Sequence, residues 1–262
     1  MTLPSASERT TISVRNLDVT YRTTFEKRPT LRSAILRAGR GERSVREIKA
    51  VQDVSFDVRQ GAVLGIIGNT GAGKSTLVRT IAGILPPTRG RIEVHGRVST
   101  LLSLGVGFNG QLSGHENVVL GGLAAGYSRT EIEEKYEEIA DWTELGDFLD
   151  LPMRTYSSGM YSRLAFAVAV HMEPDILLVD EALSTGDAKF KEKATNKMME
   201  LVGQARTMIL VSHALGTIRD MCSEAIWMHQ GRLMVHAPPL EVVQKYTDFV
   251  KVGETATTLE DV

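Results

Sequence analysis

Apolar and polar residues alternate near the start of the chain and give way to wholly apolar runs further along. Residues 11–21 (TISVRNLDVTY) alternate and are rich in β-branched side chains, which predicts an amphipathic edge-type strand. Strand character resumes at Ala50. The runs AVLGIIG, DILLVDE and TMILVSH are apolar over four or more positions, as is typical of strands buried on both faces of a parallel sheet.

Segments of helical periodicity separate these strands. TLVRTIAGIL has apolar positions at helical spacing and is predicted to stop at Pro86-Pro87. RIEVHGRVSTLL predicts strands around a glycine turn, and AIWMHQGRLMVH predicts a hairpin. Further helices are predicted in the segments ENVVLGGLAAGY, RTEIEEKYEEIADWTEL, SRLAFAVAVHM and PLEVVQKYTDFV. This alternation predicts an α/β domain with a mainly parallel sheet.

The composition of the 262 residues excludes several function classes. Thirty Lys and Arg residues against 32 Asp and Glu leave a net charge of −2, which gives no global attraction to nucleic acid. The single cysteine, Cys222, excludes an intrachain disulfide and fits a reducing compartment. No apolar run approaches the ~20 residues of a membrane span, and no signal peptide is evident. We therefore expect a cytosolic protein that reaches a membrane only through a partner.

Positive charge is concentrated in residues 22–49, a segment that we call the basic insert. It carries nine basic and three acidic residues, so its net charge is +6 and the rest of the chain carries −8. Residues 30–39 predict a short helix that Thr30 would cap and Gly39 would end. One hypothesis places Arg32, Arg37, Arg40 and Arg43 against anionic headgroups or a carrier pyrophosphate. The alternative is a solvated basic loop.

A phosphate-binding pattern follows the first buried strand. Residues 68–75 (GNTGAGKS) satisfy G-x-x-x-x-G-K-[ST], with a strand before and a helix after, as the mechanism requires. Glycines let successive N–H groups and the helix N-terminus face phosphate oxygens. Lys74 would bridge the β- and γ-phosphates, and the Ser75 hydroxyl would bind Mg²⁺. The expected nucleotide contacts are Gly68, Asn69, Thr70, Gly71, Ala72, Gly73, Lys74, Ser75 and Thr76.

Two carboxylates end the buried strand ILLVDE. Asp180 would then lie at the carboxyl end of a parallel strand and reach the Mg²⁺ shell through water. Glu181 would be the general base that orients the attacking water. The alternative, a polar helix cap, is less favoured because the pair shares a chain with the phosphate loop.

A second small-residue cluster opens a helix 22 residues before Asp180. Ser157, Ser158, Gly159 and Met160 combine a hydroxyl, free N–H groups and a helix dipole, which together form an anion site. Lying between the two phosphate motifs, this cluster resembles the signature of the ATP-binding cassette family. The resemblance implies a P-loop nucleotide-binding domain with an antiparallel β edge and a helical signature subdomain at about 103–172. It also implies a homodimer in which each signature completes the other copy's ATP site.

Other elements of that family fall in order. Asp187, in the segment STGD, matches the dimer-contact carboxylate, and His213 matches the switch histidine that touches the γ-phosphate. Tyr21 stands where the family places an aromatic ring against adenine, although core or edge filler is the alternative. The expected Mg²⁺-contacting glutamine is missing, because its position falls near Ser103-Leu104. The remaining histidines are expected to be structural or on the surface: His95, His115, His171, His229 and His236.

The segments LLSLGVGF, LSGHEN, YSSGMYSRLAFAVA and DEALSTGDAKF narrow the resemblance. They are similar to polysaccharide-exporting cassettes of the Wzm–Wzt and teichoic-acid type. Within that type, the kind of member that the sequence most resembles is an exporter of lipid-linked cell-wall galactan. We expect one ATPase domain over 1–252 and a polar tail at 253–262. Some exporters of this type carry a further C-terminal domain that binds the glycan, and none is expected in this sequence. The resemblance also implies two copies of a membrane permease, an indirect role for a lipid-linked glycan, and a place on the cytoplasmic face of the membrane.

Three alternatives are weighed against this hypothesis. A translation or DNA-repair ATPase would show two cassettes or a long coiled-coil insert, and neither is present in the sequence. A nucleotide-dependent scaffold without hydrolysis is disfavoured because Glu181 and His213 are both in place. An ATPase subunit for drug or lipid export is the runner-up, which only the resemblance disfavours.

Overall fold

The computed structural model describes residues 9–24, 45–101, 107–180, 188–204 and 206–260. The strands are β1 (Thr10–Thr24), β2 (Val45–Arg59), β3 (Val63–Ile67), β4 (Arg89–Val94), β5 (Val98–Thr100), β6 (Ile176–Asp180), β7 (Thr207–Val211), β8 (Glu224–His229) and β9 (Arg232–Ala237). The α-helices are α1 (Lys74–Ile81), α2 (Gly114–Ala124), α3 (Arg129–Thr143), α4 (Ser158–His171), α5 (Ala188–Gly203), α6 (Leu215–Met221) and α7 (Pro239–Glu260). Short 3-10 turns span Gly146–Asp150 and Met153–Thr155.

The described strands form two sheets. A six-stranded sheet has the order β5-β6-β7-β3-β8-β9, and every neighbouring pair is parallel except β8 and β9. A three-stranded antiparallel sheet has the order β2-β1-β4. The predicted fold class, a mainly parallel sheet with an antiparallel β edge and a helical part, is confirmed.

The central strands are buried on both faces, which explains their uniformly apolar sequences. In β3, Leu64 and Ile66 belong to a core shared with the antiparallel sheet and α1. Val63 and Ile67 belong to a second core on the opposite face, with residues of α4, α5 and α7. Because successive side chains of a strand point to opposite faces, a strand between two cores has no position for a polar residue.

Helices α2, α3 and α4 enclose a third apolar cluster, which includes Val118, Ile132, Ile139 and Leu164. The starts of α2 and α3 are fixed by capping boxes, in which a serine and the glutamate three residues later each accept a bond from the other's main chain. These pairs are Ser113 with Glu116 and Ser128 with Glu131. Among the described residues, no helix combines the length and apolar character needed to cross a membrane.

The structure corrects several expected boundaries. The strands β1 and β2 pair as far as Thr24 and Val45, so residues 22–24 and 45–49 of the basic insert belong to a β-ladder. Arg22 and Glu47 are cross-strand partners joined by an ion pair of 3.0 Å, a pairing that favours the longer ladder. Residues 25–44, with Arg32, Arg37, Arg40 and Arg43, lie outside the described residues.

Two helix ends also differ from the expectation. Helix α1 ends at Ile81 rather than at Pro86-Pro87, because Gly83 adopts a left-handed conformation with φ of 71°. Helix α7 continues past Val252 to Glu260, into the segment expected to be a polar tail. Helices α5 and α6 and the two 3-10 turns were not predicted.

Candidate functional site

The loop between β3 and α1 has the backbone of a phosphate cradle. Gly68, Gly71 and Gly73 have φ values of 145°, 80° and 99°, which side chains other than glycine rarely adopt. A Cβ atom on Gly68 would collide with the main-chain oxygen of Met228. Helix α1 begins directly after Gly73, so its N-terminal N–H groups open towards the loop.

Lys74 lies inside this loop with only 6% of its surface exposed. Its Nζ atom donates to the main-chain oxygen of Gly68 at 2.5 Å and to that of Asn69 at 3.1 Å. These carbonyls hold the ammonium group within the curve of the loop. A buried ammonium group within a glycine-rich loop that opens a helix is an arrangement that binds polyphosphate.

A cleft of about 570 Å³ opens beside the loop. At its outer end the hydroxyls of Tyr21 and Thr76 lie 3.3 Å apart, which joins β1 to α1. Tyr21 is 38% exposed and is the cross-strand partner of Ile48, which is 47% exposed. Together they form an apolar wall suited to a planar base. The residues that line the cleft are Tyr21, Ile48, Lys49, Ala50, Thr70, Gly71, Ala72, Gly73, Lys74, Ser75, Thr76, Val211 and His213.

Sequence reasoning missed Ile48, Lys49 and Ala50 in this lining. They enter the lining through the antiparallel pairing of β1 with β2, which places Ile48 opposite Tyr21 and which no local pattern of residues specifies. In the sequence, Ile48 and Lys49 fall within the basic insert.

The ends of β6 and β7 meet at the same edge of the sheet as the loop. Asp180, the last residue of β6, pairs with Val211, the last residue of β7. Val211 and His213 both line the cleft. The fold therefore brings Asp180, His213 and the phosphate loop to one edge. Glu181 and Asp187 lie in 181–187, and Ser103-Leu104 in 102–106, so these predictions fall outside the described residues.

The signature cluster lies at the start of α4. Ser157 caps the helix, with its hydroxyl oxygen accepting from the Met160 N–H at 3.2 Å. Ser158 and Gly159 begin the helix, and Gly159 is exposed. None of the cluster, Ser157, Ser158, Gly159 or Met160, is among the residues that line the cleft. Within one chain the structure therefore does not bring the signature to the phosphate loop.

Four of the remaining histidines contact ordinary structural partners. His171 is buried, its Nδ1 atom lies 2.9 Å from the Ala167 oxygen, and burial lowers its pKa. His115 stacks on Tyr136, His229 packs edge-on against Phe249, and His236 lies 2.8 Å from a Glu224 oxygen. His95 is exposed.

The site and the fold together define a nucleotide-binding domain of the P-loop class. The features that define it are the glycine cradle, the buried Lys74 and the strand ends that meet beside them. A family model described as ABC transporter matches residues 51–184. The matched segment runs from β2 through the phosphate loop and the signature cluster to just beyond β6. The chain belongs to the ABC transporter family.

Similar proteins include two named for export. The chain is 43% identical over 228 residues to the O-antigen export system ATP-binding protein RfbB of Myxococcus xanthus, covering 86% of this chain and 52% of that protein. It is 44% identical over 202 residues to the teichoic acids export ATP-binding protein TagH of Listeria innocua, covering 77% and 60%. The chain thus spans only about half to three fifths of the length of these relatives.

Solved structures share the fold. One, described as the ATP-binding subunit of an ABC transporter, superposes with a TM-score of 0.71 at 21% identity, covering 90% of this chain and 93% of that one. A second is a dimeric ATP-binding cassette in a post-hydrolysis state bound to ADP and phosphate. It superposes with a TM-score of 0.68 at 20% identity, covering 87% and 98%.

Proposed function

We propose that this chain hydrolyses ATP and thereby powers export of a lipid-linked polysaccharide through a separate permease in the cell membrane. The observation that carries the ATPase proposal is the glycine cradle closed around buried Lys74 beside a cleft with an aromatic wall. The substrate class is supported by the names of the relatives, which refer to O-antigen and teichoic acids, rather than to drugs or lipids.

Different residues of the cleft bind different parts of the nucleotide. Lys74 and the loop N–H groups bind the β- and γ-phosphates, while Tyr21 and Ile48 cover the base. His213 follows β7 and lines the cleft. In this proposal it contacts the terminal phosphate. A cleft with positive charge at one end and an apolar wall at the other fits a nucleoside triphosphate.

The donor set also fits a magnesium ion. Ser75 lines the cleft, and Asp180 ends β6 beside Val211, which also lines it. A hydroxyl and a carboxylate, both hard oxygen ligands, would hold the ion. When bound, Mg²⁺ neutralises phosphate charge. Glu181, the next residue after Asp180, orients the attacking water and accepts its proton.

Two copies of the chain form the working unit in this proposal. The exposed N-terminus of α4 offers N–H groups to an anion and does not line the cleft of its own chain. In this proposal it completes the ATP site of the second copy. The permease, itself in two copies, positions the pair at the cytoplasmic face of the membrane. We expect the lipid-linked glycan to be contacted indirectly, and the role proposed for the basic insert stays a prediction.

The ATPase mechanism is tested by substituting Glu181→Gln, which retains nucleotide binding and removes the base. With ATP and Mg²⁺, gel filtration of this variant is expected to show a trapped dimer. The matched control, Lys74→Ala with Glu181→Gln, is expected to stay monomeric because it binds nucleotide poorly. A Glu181→Gln variant that stays monomeric with ATP bound would contradict the proposed sandwich.

The transport proposal needs its own test. A tagged chain is purified from native membranes in mild detergent, and the copurified membrane protein is identified. Depletion of the chain is expected to leave lipid-linked glycan on the cytoplasmic side of the membrane. Normal glycan export after depletion would contradict the assigned substrate class and leave the ATPase proposal intact.

A further inference from the structure

The C-terminal helix α7 docks beside the phosphate loop. Tyr246 and Phe249 both pack on Trp227 of β8, with ring centroids 5.9 and 5.0 Å away. Phe249 also meets His229 at 4.9 Å, and Val242 is fully buried in the core of the parallel sheet. These contacts fix the face of α7 that carries Tyr246.

Tyr246 touches the phosphate loop directly. Its hydroxyl donates to the Asn69 side-chain oxygen at 2.6 Å, across 177 residues of sequence. The main-chain oxygen of the same Asn69 accepts bonds from Lys74 Nζ at 3.1 Å and from the Ala72 N–H at 3.0 Å. Burial raises the pKa of Tyr246, so the hydroxyl keeps its proton and acts as the donor.

The rest of the loop is held by neighbouring main chain. The Gly231 N–H, in the turn between β8 and β9, donates to the Ala72 oxygen at 3.0 Å, and the Gln52 N–H donates to the Gly231 oxygen at 2.8 Å. Asn69 is exposed, and its described side-chain tie to another element comes from α7. The glycines on either side, Gly68 and Gly71, give this part of the loop conformational freedom that such a tie restricts.

We propose that Tyr246 is a positioning residue for the nucleotide site, which holds Asn69 so that the phosphate loop is preorganised for ATP. This inference rests on the proposed function, because it assumes that the loop binds a nucleoside triphosphate. Its physical basis is that a loop already held in its bound conformation loses less entropy on binding. Docking of α7 thereby becomes a determinant of nucleotide affinity.

The test removes one oxygen atom with Tyr246→Phe, which keeps the ring on Trp227. The Kd for Mg·ATP, measured by calorimetry, is expected to rise about three- to tenfold, the range of one lost hydrogen bond. The KM for ATP is expected to rise by the same factor at unchanged kcat. The matched control is Thr247→Val, which removes a hydroxyl that donates within α7, to the Val243 oxygen.

A double-mutant cycle with Asn69→Ala separates positioning from general stability. If the Tyr246 hydroxyl acts through Asn69, the Kd of the double variant for Mg·ATP is no higher than that of the single variant with the higher Kd. Independent effects that multiply, or a Kd unchanged in Tyr246→Phe, would overturn the inference. If Tyr246→Phe unfolds, the same bond is tested from the loop side with Asn69→Ser, a substitution at an exposed position that removes the amide oxygen.

The parent chain and Lys74→Ala are measured first. Absence of Mg·ATP binding by the parent would overturn the proposed function itself. A second outcome would overturn only the role of Tyr246. In it the parent binds Mg·ATP, Lys74→Ala binds it more weakly, and Tyr246→Phe binds it as tightly as the parent.

Discussion

Gly73 lies directly against the main-chain carbonyl of Ala50, so that a Cβ atom on Gly73 would collide with the Ala50 oxygen. Gly73 also has φ of 99°, outside the range that other residues adopt readily. The close approach joins the last glycine of the phosphate loop to β2. The loop therefore takes its shape from a strand outside the parallel sheet as well as from its own sequence.

We expect Gly73→Ala to abolish nucleotide binding, because either the loop or β2 must shift. The matched control is Gly126→Ala, whose φ of 86° is equally unfavourable but whose added Cβ meets no atom within 4 Å. The control loses about 1 kcal/mol of unfolding free energy and keeps its affinity for ATP. Calorimetry and urea unfolding measure both quantities; equal affinities in the two variants would contradict the steric argument.

Tyr21 is expected to contribute through its ring to base binding. Tyr21→Ala should weaken ATP binding by about 1–3 kcal/mol, a typical stacking contribution. Tyr21→Phe should retain most of the affinity, since it keeps the ring and loses the contact with Thr76. Inorganic tripolyphosphate, which has no base, serves as the control ligand. Equal losses of affinity for ATP and tripolyphosphate in Tyr21→Ala would show that Tyr21 only supports the loop.

The shared-site dimer predicts a difference between two heterodimers that carry the same lesions. With Lys74→Ala on one chain and Ser158→Arg on the other, both lesions fall in one composite site and the second site stays intact. With both changes on one chain beside an unmodified chain, each site carries one lesion. Only the first arrangement should recover ATPase activity.

Differently tagged chains allow each heterodimer to be purified and assayed for phosphate release. The Lys74→Ala lesion alone should cost roughly 1.5–3 kcal/mol of phosphate contact. Equal activity of the two arrangements, above the background of the homodimeric variants and in verified heterodimers, would rule out sites built from two chains. Absence of activity in both bears on shared sites only where one intact site suffices for turnover.

Glu131 predicts a pH-dependent contribution to stability. The Ser128 main-chain N–H and the Arg97 guanidinium, both bonded to this carboxylate, lower its pKa from 4.5 to about 2. Because the folded-state pKa lies below the unfolded one, the stabilisation is full above pH 4.5 and is lost as the pH falls towards 2. The deficit of Glu131→Gln relative to the parent should therefore shrink below pH 4.5.

Urea unfolding of parent and variant at several pH values between 6 and 3.5 measures this deficit. Glu133→Gln is the matched control, since Glu133 is in the same helix and forms an exposed ion pair with Arg129. A deficit of Glu131→Gln that stays constant over the whole range would contradict the assignment.

Cys222 is expected to be unreactive in the folded protein. Burial raises the pKa of its thiol to about 12, so almost no thiolate is present at pH 8. A thiol reagent such as Ellman's should label the native protein slowly and the urea-unfolded protein at once. Fast native labelling with the fold intact would contradict the partial burial of this side chain.

Several elements were predictable because their signals are local. Strands β3, β6 and β7 were evident as apolar runs, and the β8–β9 hairpin as two largely apolar stretches around Gln230-Gly231. Helix α5 was missed although Phe190, Ala194, Met198 and Leu201, all buried, repeat at helical spacing. The end of α1 was misplaced because the prediction used the prolines and passed over Gly83.

The lining of the cleft was less predictable because it depends on distant pairings. Tyr21 faces Ile48 only because β1 and β2 form a ladder past the expected start of the basic insert. Tyr246 meets Asn69 only because α7 packs on β8, which lies next to β3. Neither contact follows from the residues adjacent in sequence.

The sequence by itself determined the phosphate loop, since strand, glycines, lysine and helix are contiguous and glycine conformation is a local property. It likewise identified the family through the spacing of the signature and the strand that ends at Asp180. Only the tertiary structure decided which distant residues surround the loop. The physical reason is that strand order and helix docking arise from the collective burial of apolar faces, which local patterns of residues do not specify.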